Sequence, residues 1–242
     1  MAGIGTIINV ILVMIGAFLG LLLKKAIPER LKTSLIQALA LATMTIGLTG
    51  IITACCKVTK EGGLSSEYII LMVLSMAVGT LAGEMINIEK KLDNIGNFFQ
   101  KKFSNSSSTF AEGFITASLV FCVGSMAILG SLNDGILHDP TILITKSLLD
   151  MIMAMVFAST LGLGVMFSIV TIICYQGLIT LCASFLAPLL TETVIAQMSL
   201  VGSILIMGIG FNFIYKPRLR LANMLPSMFV PLIWYIIQNL WR

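Results

Sequence analysis

Long apolar runs separated by short polar stretches organise this chain, and the length of those runs is the first clue to its solvent. A helix needs about 20 apolar residues to cross the hydrocarbon of a bilayer. Eight stretches reach that length, roughly 4–23, 34–54, 68–86, 112–131, 142–159, 162–184, 192–213 and 223–241. The fifth and sixth are joined only by "STLGLG", so a single long bent helix is the alternative there. The first run has no positive region before it, and Lys24 and Lys25 follow it, which reads as a retained span and not a signal peptide. The pattern predicts an all-α polytopic membrane bundle, with residues 1–242 forming one integral membrane domain.

Composition points the same way. Of 242 residues, 57% are hydrophobic and 11% charged, with a mean hydropathy of +1.02. Soluble domains carry about 25% charged residues, so this chain cannot cover a water-facing surface. Cys55, Cys56, Cys122, Cys174 and Cys182 have no C-x-x-C spacing and read as small packing residues.

Positive charge sets the expected orientation. With the N-terminus outside, the cytoplasmic loops hold Lys24, Lys25, Arg30 and Lys32, then Lys90, Lys91, Lys101 and Lys102, then Lys216, Arg218 and Arg220. Only Lys57, Lys60, Lys146 and Arg242 of the 15 Lys and Arg fall elsewhere. Both termini are therefore expected outside. The 87–111 loop places Ile88, Leu92, Ile95 and Phe99 at helical spacing opposite lysines. That is the pattern of an amphipathic helix on anionic lipids, with a partner-binding helix as the alternative.

Small residues mark close helix contacts: Gly16 and Gly20 in the first span, and Ser75, Gly79 and Gly83 in the third. They point to a compact bundle or a homo-oligomer. Sliding the chain by 160 residues aligns Pro28 with Pro188, Thr33 with Thr193, Gln37 with Gln197 and Gly50 with Gly210. Such matches predict repeats over 4–86 and 162–241, with spans 1–3 related to spans 6–8 in opposite topology. Inverted repeats are common in secondary transporters.

Ionisable groups inside a bilayer are costly and usually face protein or a water-filled cavity. Here they are Lys146, Asp150 and Glu84. Glu84 lies at a span end, within reach of the interface or a lysine. Lys146 and Asp150 are four residues apart, so they share a helix face. A structural ion pair is one reading; a cation or proton site at Asp150, tuned by Lys146, is the other. In the fourth span Ser118, Cys122 and Ser125 share a face, and Gly124 and Gly130 permit a broken helix. Tyr175, Gln176, Asn212, Gln37 and Gln197 complete the candidate lining of a solute or ion site. No metal site, cofactor, nucleic-acid surface or catalytic constellation is expected, since the single histidine, His138, lies in an outer loop.

The stretches "GSMAILGSLNDGI", "KSLLDMIMAMVFAS", "GVMFS", "YQG", "GIGFN" and "ANMLPS" resemble the YqgA/YdfK-like family of bacterial multi-pass membrane proteins, a family of unknown function. The resemblance covers nearly the whole chain. It implies an inner-membrane protein and matches Gly124, Ser125, Gly130, Asn133, Asp134, Lys146, Asp150, Tyr175, Gln176, Gly177, Asn212 and Asn223, without giving any of them a role. The physical reading favours a secondary transporter of a small solute or ion coupled to H+ or Na+. An oligomeric channel and a non-transporting scaffold or sensor are the alternatives.

Overall fold

A computed structural model of the chain describes residues 2–24, 28–58, 64–91, 94, 110–123, 125–215 and 218–240. Its helices are α1 (Ile4–Lys24), α2 (Glu29–Cys55), α3 (Ile69–Ile86), α4 (Phe110–Cys122), α5 (Ser125–Ile136), α6 (Thr141–Leu161) and α7 (Leu163–Leu181). A helical turn (Ala183–Leu186) precedes α8 (Glu192–Ile214). Then α9 (Leu221–Met224) passes through a 3-10 turn (Leu225–Phe229) into α10 (Val230–Leu240). The fold is all-α apart from one small ribbon after α2, where Cys56–Val58 pairs antiparallel with Leu64–Ser66. Most of the expected interfacial helix, Lys101 and Lys102 included, lies outside the described residues; 88–91 are helical.

Among the described residues seven helices are long and apolar enough to cross a membrane. The pair Phe110–Cys122 and Met126–Ile136, bent by 60°, passes the same test as a broken span or a re-entrant loop. Packing against α7 decides between these. At one end of α7 a Cβ on Gly164 would strike Phe110, at the middle Ser118 Oγ lies 2.9 Å from Thr171 Oγ1, and at the far end a Cβ on Gly135 would strike Thr180 and Ala183. The pair thus follows a spanning helix from end to end, in parallel. Counted as one bent crossing, it brings the described residues to eight spans. The α6–α7 junction is a true break: Gly162 takes φ 83° and ψ −149°, backbone values that favour glycine.

The chain divides into two compact units, Met1–Leu39 with Lys90–Ala187 and Ala40–Glu89 with Pro188–Arg242, and α2 runs through the division. The first unit is built on α1, α4, α5, α6 and α7. Along α1 the inward face is Gly5, Thr6, Asn9, Val13, Gly16, Ala17 and Gly20, while Ile7, Ile11, Phe18 and Leu22 are exposed. Large apolar residues outside and small or polar ones inside is the arrangement lipid favours, since burying apolar side chains gains little against hydrocarbon. Gly16 and Gly20 lie against the Met151 and Met155 carbonyls of α6, where no Cβ fits. The small-residue stripe of the first span is therefore a backbone-to-backbone seam.

In the second unit the Ser75–Gly79–Gly83 face of α3 is buried, and Gly79 and Gly83 meet the backbone of Ser227 and Asn223. Asn87 ends α3 in the left-handed region at φ 53°, which asparagine tolerates better than most residues. The main chain then turns so that Asn223 Oδ1 accepts from the Glu89 N–H at 2.8 Å. Glu84 pairs with Arg220 at 2.9 and 3.1 Å, rather than with a lysine. On the exposed side of α2, Thr45, Thr49 and Thr53 donate to carbonyls four residues back at 2.8–2.9 Å. Their hydroxyls thus need no water.

Candidate functional site

Lys146 and Asp150 lie on the inward face of α6, each 6% exposed, and form an ion pair. Two charges this dry are costly unless paired and further hydrogen-bonded. The further bonds come from other helices of the first unit. Asn9 Nδ2 of α1 donates to Asp150 Oδ2 at 3.1 Å and to Gln176 Oε1 of α7 at 3.2 Å. Asn9 and Gln176 are both fully buried. One amide nitrogen thus ties α1 to α6 and α7. One turn toward the start of α1, Thr6 Oγ1 faces Thr180 Oγ1 at 3.5 Å.

The cluster holds more hydrogen-bonding capacity than it uses. Asn9 Oδ1 and Gln176 Nε2 are buried with no partner among the described residues, and so is the Tyr175 hydroxyl. Buried polar atoms are rarely left unpaired, and leaving one unsatisfied costs about 1–3 kcal/mol. Cys122, the last residue of α4, is buried in the same unit. The arrangement offers a carboxylate, an ammonium and two amides in an apolar wall, a set suited to holding a proton, a small cation or a small polar solute.

Of the sequence candidates, Lys146, Asp150 and Gln176 meet in one hydrogen-bonded cluster, and Tyr175 is the neighbour of Gln176 on α7. Gly130 does not break a helix: α5 continues through it, and a Cβ there would lie 2.9 Å from Leu143, so it serves the contact with α6. The break falls between α4 and α5 instead; Gly124 lies outside the described residues, as does the side chain of Ser125 at the start of α5. Gln37 is exposed on α2 and Gln197 half-buried on α8. Asn212 clasps the end of α8: its side chain donates to the Leu219 carbonyl at 2.8 Å and accepts from the Leu219 N–H at 2.7 Å. Sequence reasoning passed over Asn9. Its signal was available, as the one amide in an otherwise apolar first span.

Outside the spans, Asp139 accepts from the Thr141 N–H at 3.0 Å and from the Thr141 hydroxyl. These bonds hold its carboxyl below its ordinary value and secure the start of α6.

Residues 4–236 match the profile of a family described as "Protein of unknown function (DUF554)". The chain is 33% identical over 227 residues to "Uncharacterized membrane protein YdfK" of Bacillus subtilis (strain 168), covering 94% of this chain and 93% of the relative. It is 32% identical over 232 residues to "Uncharacterized protein YqgA" of Escherichia coli (strain K12), covering 93% of each. No solved structure matches.

Proposed function

The chain belongs to the DUF554 family, whose function is unknown, and from the chemistry of its first unit we propose that it is a secondary transporter of a small solute or ion coupled to H+ or Na+. The observation that carries this reading is the dry Lys146–Asp150 pair, braced by Asn9 and flanked by buried amide atoms with unmet hydrogen bonds. A purely structural ion pair is normally supported by full satisfaction of its neighbours. Spare donors and acceptors beside a carboxylate instead fit a group that exchanges partners during a cycle. Asp150 binds the coupling ion, Lys146 tunes its affinity, and Gln176, Tyr175 and Asn9 supply polar contacts to the cargo.

An inverted repeat is part of this proposal. The crossing of α2 and α8 supports it: a Cβ on Gly47 would lie 2.6 Å from the nitrogen of Met207, the residue 160 positions on. To one side Gly50 meets Ser203, and to the other Gly210 meets Met44. Two antiparallel helices that cross at residues related by the repeat shift, with matching contacts on either side, have the symmetry an in-plane two-fold axis requires. We place both termini outside and the 3–4 and 7–8 loops inside, on anionic lipid. The Glu84–Arg220 pair supports this by joining the ends of spans that those loops connect. A homo-oligomer in the bacterial inner membrane completes the proposal.

The test is flux in proteoliposomes under an imposed H+ or Na+ gradient. Saturable, gradient-driven uptake that Asp150→Asn abolishes in a folded protein is the expected result. Unitary conductance would mean a channel, and neither signal a scaffold or sensor. A stable Asp150→Asn protein with full uptake overturns the coupling role.

A further inference from the structure

Asp134 of α5 is a second carboxylate in the same bundle, fully buried, and its side-chain hydrogen bond goes to α1 and not to Lys146 or Asp150. Its Oδ2 accepts the Gly5 N–H in the first turn of α1 at 3.0 Å, and its Oδ1 is buried with no partner among the described residues. Gly5 and Asn9 are four residues apart on α1, so the partners of Asp134 and Asp150 lie on one face, one turn of about 5.4 Å from each other. The same level is reached on α6: a Cβ on Gly5 would lie 2.8 Å from Leu143 Cβ and 3.1 Å from Asp134 Oδ2. Leu143, Lys146 and Asp150 follow one another down a single inward face. Along α6 Lys146 thus lies between the level of Leu143, which Asp134 shares through Gly5, and that of Asp150, with which it pairs.

We propose that Asp134 and Asp150 are alternative partners of Lys146, so that a cation or proton taken up at Asp150 sends the ammonium one turn back to Asp134. Helix side chains leave the backbone toward the N-terminal end, which for Lys146 is the direction of Asp134. A lysine ammonium carries three donors on a flexible four-carbon stem, and Asp134 Oδ1 is an acceptor without one. In the exchange a cation or proton arrives at Asp150 as the ammonium leaves it, and Asp134 gives up its own proton to the aqueous side as the ammonium arrives, so the ammonium always faces one carboxylate in the apolar interior. Among the described residues, the other titratable groups of these helices and the loop between α5 and α6 are Lys24 on α1, Glu112 and Cys122 on α4, Cys174 and Tyr175 on α7, and exposed His138 and Asp139 beyond α5. Lys24 and Glu112 stand at the other end of the bundle from Asp134, where Lys24 Nζ lies beside Gly162 and Gly113 meets Leu161. This inference rests on the coupling role proposed for Asp150.

The full-length protein is labelled in liposomes with dicyclohexylcarbodiimide, which adds to protonated carboxyls in apolar surroundings, and the peptides are read by mass spectrometry. In the unaltered protein Asp134 should label and Asp150 should resist. In Asp150→Asn the ammonium moves, and Asp134 labelling should fall at least tenfold. Thermal unfolding supplies the second arm. Asp134→Asn and Asp150→Asn should each lower Tm slightly, the double variant should lose more than their sum, and adding Lys146→Met should restore most of the loss. Equal labelling of Asp134 with and without Asp150 overturns the exchange, as do strictly additive losses in Tm. If Asp134→Asn does not fold, the labelling arm stands, since it leaves Asp134 untouched. Neither arm requires transport, so failure of the flux test leaves this one to be judged by itself.

Discussion

Asn9 reaches Asp150 across 141 residues of chain, with Nδ2 3.1 Å from Oδ2. Hydrogen bonds between membrane helices average only about 0.6 kcal/mol, but one that ends on a charge is worth about 1.5–3 kcal/mol. Here the same nitrogen also holds Gln176, so its removal strands Gln176 Oε1 and leaves Asp150 Oδ2 to Lys146 alone. Asn9→Ala should therefore destabilise by about 1.5–3 kcal/mol, read by thermal unfolding in detergent. A loss below about 0.5 kcal/mol would mean that the bond forms in the structure without supporting it.

Lys146→Met leaves Asp150 without its counter-charge in a dry site. Removing one member of a buried pair costs about 3–5 kcal/mol, so this variant should be the least stable of the single neutralisations. Adding Asp150→Asn removes the stranded charge and should recover most of the loss. No recovery in the double variant would show that the lysine acts through packing.

Gly16 faces the Met151 carbonyl with no room for a Cβ. Overpacking a yielding side-chain core costs about 1–3 kcal/mol, and here the obstacle is backbone. Gly16→Leu should exceed that range and separate α1 from α6, with loss of folded yield. Ile7→Leu, on the exposed side of the same helix, is the control and should be neutral. Equal yields would contradict the seam.

Arg220 and Glu84 form an exposed pair, and such pairs contribute about 0–1 kcal/mol. Arg220→Ala should thus fall within about 1 kcal/mol of the unaltered protein. Asn223→Ala should cost more in the same unfolding assay, since it frees the Glu89 N–H. The reverse order would assign the α3 contact to charge.

Reporter fusions after Lys102 and after Arg220 should be active only for an enzyme that works in the cytoplasm. Activity of a periplasmic reporter at either site would invert the proposed orientation.

Much of this molecule was legible without coordinates. Runs of about 20 apolar residues give spans because a bilayer has a fixed thickness, and the stripe of Gly16 and Gly20 announces a close contact because only glycine lets backbones touch. The spacing of Lys146 and Asp150 fixed their pairing, since both ends lie on one helix. What lay beyond the sequence was every relation between helices. Nothing local tells that Gly130 serves packing, or that Asn212 clasps the Leu219 backbone. Asn9 meets Asp150 and Gln176, and Asp134 meets Gly5, only because α1 is enclosed by helices that follow it by more than a hundred residues. Periodicity reports which face a residue shares, and the partner across that face is chosen by packing, which depends on the whole chain at once.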